Sequence, residues 1–178
     1  MDKTILATRV KAVAFLEGDF TLRSGKKSKY YLDKYLFETQ PDILEAMGEE
    51  IAKRLPAGTQ RIAGPELGAV ALAAAASLMS RVPFFIVRNA KKDYGTSKTI
   101  EGKLEVGDKV VLVEDIVTTG GQVLEAIKNI SAAGASVIKV IVALDRQEGG
   151  RENIEKALVE AGGTASYEAI LTKADLGI

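Results

Sequence analysis

Residues 110–122, VVLVEDIVTTGGQ, constrain this chain more than any other stretch. Val110, Val111, Leu112 and Val113 form a short, mostly β-branched apolar run. Such a run reads as a strand buried on both faces, as in a parallel sheet. Glu114 and Asp115 stand at its carboxyl end. Thr118, Thr119, Gly120 and Gly121 follow as a small-residue turn, and an amphipathic helix begins near Gln122. A helix N-terminus presents unpaired N–H groups and about half a positive charge, so the turn suits a phosphate. Acids beside a phosphate cradle suit a ligand with both hydroxyls and a phosphate, such as a ribose phosphate. Taken singly, each feature has an ordinary reading, since many α/β strands end in acids and Thr often caps a helix. The ordered run of all of them is far more specific.

The surrounding pattern alternates. Ile5, Leu6, Val10, Val13, Ala14 and Leu16 recur at helical spacing and predict a helix over 4–17 that ends at Gly18. Phe20-Thr-Leu and Tyr30-Tyr-Leu read as short strands about a turn at Ser24-Gly25-Lys26. Further helices are predicted over 42–54, 69–79, 122–134 and 152–161, and further strands at 61–64, 83–87, 110–113, 136–144 and 166–172. The Ala-rich helix 69–79 allows close packing, on the sheet or across a dimer interface. Alternation of this kind argues for a single α/β domain over 1–178: a doubly wound, mainly parallel five-stranded sheet flanked by helices, with right-handed crossovers. Ligands in such sheets sit beyond the carboxyl ends of the strands. Gly64–Gly68, Arg88, Glu114–Gln122 and Arg146 all fall just after predicted strands, which argues for one shared site with the N-terminal hairpin as its cover.

Composition removes several chemistries. Among 178 residues there is no Cys and no His. That excludes disulfides, Cys or His zinc sites, Ser-His triads and Cys nucleophiles, and leaves acid–base work to carboxylates, Lys or Tyr. Lys+Arg and Asp+Glu are both 24, so no global field argues for nucleic acid or an anionic membrane. The most apolar window, GAVALAAAASLMS, is too short to span a bilayer. The amino terminus lacks the apolar core of a signal peptide, and a cytoplasmic location is expected. No Gly-x-Gly-x-x-Gly or Walker loop occurs, so dehydrogenase and P-loop readings lose support. The segment RNAKKDYGTSKTIEGKLEVGDK that follows residue 87 is long, polar and locally cationic through Arg88, Lys91, Lys92 and Lys98. Loops of this length are commonly functional lids, though a solvated hairpin is the plain alternative.

The central run resembles the phosphoribosyl pyrophosphate (PRPP) motif of type I phosphoribosyltransferases. A closer resemblance lies in FTLRSGKKSKYY, which is similar to the amino-terminal segment of the orotate phosphoribosyltransferase family. It implies a hood over about 18–40, in which Arg23 contacts orotate and Tyr31 and Leu32 cover it. The family's Gly-Pro-Glu-Leu-Gly loop, here Glu66, Leu67 and Gly68, lies against pyrophosphate. Some members carry Lys at the position of Gly68, so this chain would use backbone there. Arg88, Lys92, Tyr94 and Gly95 fall on the family's catalytic loop, a mobile segment over about 88–106. Asn89 stands where Lys is usual, and Gln122 where many members have Ser or Thr. The Asp-Arg-Gln run at 145–147 implies an orotate contact from Arg146.

The resemblance implies transfer of the 5-phosphoribosyl group from PRPP to orotate, with Mg²⁺, giving orotidine 5′-monophosphate and pyrophosphate in pyrimidine biosynthesis. Glu114 and Asp115 would hold the ribose hydroxyls. Thr118, Thr119, Gly120, Gly121 and Gln122 would hold the 5-phosphate, with Ile116 and Val117 beside them and Thr118 also near orotate. Arg88, Lys91, Lys92 and Tyr94 would bind the pyrophosphate end of PRPP, and no protein side chain is expected to ligate the metal directly. The family's catalytic loop reaches into a neighbouring subunit, which implies a homodimer. Two rival readings share the central motif: transfer to another nucleobase, and a non-catalytic PRPP sensor. The first should lack the hood and the Asp-Arg-Gln run. The second should carry a DNA-binding extension, and none is legible.

Overall fold

The computed structural model describes residues 1–21, 25, 27–89, 99–164 and 166–178. Helix α1 spans Lys3–Ala14, and its Asp2 cap accepts the Ile5 N–H at 2.9 Å. The helix stops short of the expected Gly18 because Phe15 pairs with Leu32 instead. Strand β1 (Phe15–Thr21) runs antiparallel to β2 (Lys27–Leu32), and Phe15 stacks on Tyr30 at 5.3 Å between centroids. Cross-strand pairing with an aromatic contact outweighs helical spacing in its last turn. β2 leads into a five-residue helix, α2 (Lys34–Glu38), capped by Asp33, which is too short to show as periodicity.

The remaining elements are α3 (Pro41–Lys53), β3 (Arg61–Pro65), α4 (Gly68–Ser80), β4 (Phe84–Val87), β5 (Ile100–Glu101), β6 (Lys109–Val117), α5 (Gly121–Ala132), β7 (Ser136–Asp145), α6 (Gly150–Glu160) and β8 (Tyr167–Thr172), with a 3₁₀ turn at Ala174–Leu176. The main sheet has the order β5-β4-β3-β6-β7-β8. Its five central and right-hand strands pair in parallel, as the alternation predicts. The sixth, β5, is a two-residue antiparallel edge strand on β4. It brings the chain after residue 88 back to the sheet it left.

Two apolar layers hold the sheet. On one face, Leu6 and Val10 of α1, Ile43 and Met47 of α3 and Leu72 of α4 pack with Val111 and Val113. On the other, Val123, Ile127 and Ile130 of α5 and Ile154 and Leu158 of α6 pack with Val110 and Leu112. Burying each such side chain is worth about 1.5–3 kcal/mol. Small residues of α4 bring it close to α3 and β3. A Cβ on Gly48 would lie 2.8 Å from that of Ala75, and one on Gly64 would lie 2.8 Å from that of Ala73. The chain crosses from β3 to β4 on one side and then to β6 on the other. The reversal opens a crevice at the carboxyl ends of β3 and β6.

Candidate active site

β6 runs through the two acids to Val117 rather than ending before them, so they are part of the strand. Glu114 and Asp115 are 3% and 1% exposed. The alternation of faces slips across them: Val111, Val113 and then Ile116 pack on the α1/α3/α4 side, whereas Val110, Leu112 and then Val117 pack on the other. Asp115 Oδ2 accepts from Lys34 Nζ of α2 at 2.6 Å, and Oδ1 accepts from the Ile116 N–H. Glu114 Oε2 is buried and has no hydrogen-bond partner. Burial first, and the Asp115 charge second, push the Glu114 carboxyl well above the usual range. A third carboxyl faces the same place. Glu38 is 3% exposed, its Oε1 also lacks a partner, and burial followed by the Asp115 charge raises it to about 7. Gly68 opens α4 directly against this group, where a Cβ would fall within the Asp115 carboxylate and 2.9 Å from Glu38 Oε1.

The run after β6 forms a cradle. Gly120 takes a left-handed conformation (φ 83°) and starts α5 without any side-chain cap. The amides of the first turn therefore have no intrahelical partners and point outward, as an anion site requires. Asn153 Nδ2 donates to the Thr119 carbonyl at 3.0 Å and ties the cradle to α6.

The 65–68 loop lies alongside. The Glu66–Leu67 peptide is cis, and the Glu66 N–H donates to the Val87 carbonyl at 2.8 Å. The Glu66 carbonyl accepts from Gln122 Nε2 at 2.9 Å and from Asn89 Nδ2 at 3.1 Å. Its carboxylate accepts the Asn89 N–H at 2.8 Å and pairs with Arg88 Nη1 at 3.8 Å. Asn89 and Gln122, two of the departures from the family pattern, thus share one acceptor. The Arg88 N–H donates to the Thr99 carbonyl at 2.8 Å, which closes the base of the segment between them. Lys91, Lys92 and Tyr94, and Arg23 of the hairpin, lie outside the described residues. Tyr31 is on the hairpin, 43% exposed, with its ring 5.6 Å from that of Phe20.

Arg146 follows β7 on a braced turn. Its N–H donates to the Val117 carbonyl at 2.9 Å, and its guanidinium pairs with Glu148 at 3.0 Å. Asp145 holds the turn from beneath: Oδ1 accepts the Gln147 N–H at 2.7 Å and Oδ2 accepts the Tyr167 hydroxyl at 2.8 Å. Burial and the Asp145 bond raise the Tyr167 hydroxyl above its ordinary value, so it stays a donor. Tyr167→Phe should cost about 1–2 kcal/mol in a urea melt, because it leaves a buried carboxylate oxygen short of a donor. A melt unchanged from wild type would show that water replaces the hydroxyl.

The structure therefore gathers Glu66–Gly68, Arg88, Glu114–Gln122 and Arg146 at one edge of the sheet. Sequence reasoning missed Lys34 and Glu38. Their signal was present in Asp33-Lys34-Tyr-Leu-Phe-Glu38, a capped turn with a cation and an acid four residues apart.

A strand carrying two buried acids into an uncapped helix N-terminus suits a ribose phosphate, and this chain belongs to the phosphoribosyl transferase domain family, whose model matches residues 41–160. An orotate phosphoribosyltransferase of Methanocella arvoryzae is 49% identical over 156 residues, 88% of this chain and 89% of that protein. One from Methanocaldococcus jannaschii is 48% identical over 159 residues, 89% of this chain and 90% of that protein. The crystal structure of Mycobacterium tuberculosis H37Rv orotate phosphoribosyltransferase in complex with PRPP matches with a TM-score of 0.80 at 29% identity, covering 100% of both chains.

Proposed function

We propose that the chain transfers the phosphoribosyl group of PRPP to orotate, releasing pyrophosphate and forming orotidine 5′-monophosphate. The observation that carries this reading is the join, within eight residues of one strand and helix, of two buried acids and an uncapped α5 N-terminus. The similarity to orotate phosphoribosyltransferases along nine-tenths of the chain supports orotate as the base.

The reaction is a displacement at the anomeric carbon. As pyrophosphate leaves, positive charge builds on the ribose ring and negative charge on the departing oxygens. Rate comes from stabilising that separated charge more than the ground state. Asp115 and Glu114 accept the ribose hydroxyls and lie beside the developing cation. The amides of 118–122 hold the 5-phosphate, with Ile116 and Val117 as the apolar floor that leads into them. Arg88, Lys91, Lys92 and Tyr94 neutralise and position pyrophosphate, which the backbone of Glu66–Gly68 lines. Arg146 and Arg23 take the orotate carboxylate and carbonyl oxygens, with Thr118 and the Tyr31 ring against the base. An Arg fork matches a carboxylate in plane, which suits this task.

Among the described residues no group of three His, Cys, Asp or Glu side chains is arranged to hold a metal. Mg²⁺ brought in with PRPP would be held by PRPP oxygens and water rather than by side chains of this chain, and would supply positive charge against the leaving pyrophosphate. The working unit is a homodimer in which the 88–106 segment serves the neighbouring site, and its setting is the cytoplasm. No helix of the described residues is long and apolar enough to cross a membrane.

The test is the fall in orotate absorbance with purified protein, PRPP and Mg²⁺, run beside adenine, hypoxanthine and uracil. Turnover of orotate alone is expected. Turnover of another base would keep the PRPP site and overturn the roles given to Arg146 and the hairpin. Tight PRPP binding with no turnover would make the chain a sensor.

A further inference from the structure

Lys34 and Glu38 lie one turn apart on α2, the spacing at which an ammonium and a carboxylate meet on a helix. They do not satisfy each other here. Lys34 Nζ is 2.6 Å from Asp115 Oδ2, while Glu38 Oε1 is buried with no hydrogen-bond partner. Three carboxyl groups, Glu38, Glu114 and Asp115, act on one another, and Lys34 is the cation acting on all three. The other charged group acting on Glu38 is Asp33, at the cap of its own helix, and α4, which approaches through Gly68, carries no charged residue. A buried acid without a partner is costly unless it keeps its proton or gains a cation.

We propose that Lys34 and Glu38 form a positioning switch for Asp115: the ribose hydroxyls of PRPP displace Lys34 from Asp115, Lys34 turns to Glu38, and Glu38 releases a proton. This rests on Asp115 being an acceptor for ribose hydroxyls. The step balances without any co-reactant. The O–H bond of the Glu38 carboxyl breaks, the proton passes to buffer, and the Lys34–Asp115 ion pair is replaced by Lys34–Glu38. The ligand-free geometry explains why both halves are needed. Asp115 is already engaged, so hydroxyls arriving there evict a cation. Glu38, one turn from Lys34 on the same helix and with Oε1 buried and unpartnered, is the carboxyl placed to receive it. Glu38, raised to about 7, stands at the point where a nearby ammonium tips it from acid to carboxylate near neutral pH.

The experiment is calorimetric titration of PRPP into the protein at pH 6–8, in buffers of different ionisation enthalpy, which counts protons released on binding. PRPP phosphates titrate in the same range, so the readout is the difference between wild type and Glu38→Gln. Wild type should release about half a proton more at pH 7. Lys34→Met should lose the same increment, because Glu38 then keeps its proton. Equal release by wild type and Glu38→Gln, with PRPP bound by both, would overturn the switch alone. No PRPP binding by wild type would overturn the PRPP reading and the switch together.

A thermal melt of the apo-protein supplies an independent check. A carboxyl whose folded pKa is raised leaves stability intact below the unfolded value and erodes it as pH rises through the folded one. Wild type should therefore lose stability between about pH 4.5 and pH 7 relative to Glu38→Gln. Parallel melts across that window would show that Glu38 does not titrate there and would overturn the proposal.

Discussion

Gly68→Ala is expected to cut kcat/KM for PRPP by about 100-fold or more, the scale at which an ångström of misplacement is felt in an active site. The added methyl has no space. It would enter the Asp115 carboxylate, approach Asp115 Cγ to 2.8 Å and reach Glu38 Oε1 at 2.9 Å. Asp115 is 1% exposed and fixed by Lys34, so the carboxylate moves only if that ion pair breaks or α4 retreats from the sheet. Either course spoils the acceptor for the ribose. Overpacking should also lower stability by about 1–3 kcal/mol. Steady-state kinetics with PRPP varied, beside a thermal melt, separate the two effects. Kinetics like those of wild type would show that Asp115 is not where the ribose is held.

Gly150→Ala is expected to damage the phosphate cradle from behind. A Cβ there would run into Val117 Cγ1, lie 2.6 Å from the Thr118 carbonyl oxygen and 3.2 Å from the Gly120 nitrogen. Two of these three obstacles are backbone of the cradle and cannot rotate away. The first turn of α6 must lift, or the 118–120 turn must shift. A loss of about 3 kcal/mol is expected, at the upper end for overpacking, and it should lower the melting temperature by roughly 6–12 °C in a domain of this size. PRPP affinity should fall about tenfold or more in calorimetry, because displaced amides lose their aim at the phosphate. Gly121→Ala is the control for the fold, since nothing lies within 4 Å of the site of its Cβ and a helix favours alanine. A Gly150→Ala protein as stable as this control would show that α6 does not brace the cradle.

How much of this was legible beforehand depended on the length over which a pattern repeats. α5 announces itself by helical period and β7 by a long, nearly continuous apolar run, and the parallel sheet follows from their alternation. The cradle was legible because an apolar strand, two acids, two threonines, two glycines and a helix follow one another without a break, an order far more specific than any of its parts. β5 was not legible, because two residues carry no period and their pairing is decided by the return of the chain to β4. The end of α1 was misplaced because the pairing of Phe15 with Leu32 is a contact across 17 positions that local spacing does not report. Lys34 and Glu38 were passed over for a related reason. A charged pair on a short helix looks like solvated surface until the fold carries it beneath the end of β6. The roles expected of Lys92 and Arg23 came from the resemblance alone and lie outside the described residues.

The carbonyl of Glu66 couples two separate parts of the chain. A carbonyl oxygen carries two lone pairs, and here one side-chain amide serves each: Asn89 from the end of β4 and Gln122 from the start of α5. The resemblance leads one to expect lysine at the first position and, as in many members, Ser or Thr at the second. Viewed singly, each looks like drift away from the pattern. Viewed from the shared oxygen, they are a matched set. Lysine at 89 would strip one amide from the oxygen, and the glutamine opposite would then hold the loop by itself. The two amides therefore act as one latch made at two places in the chain, and a change at either should be felt at the other.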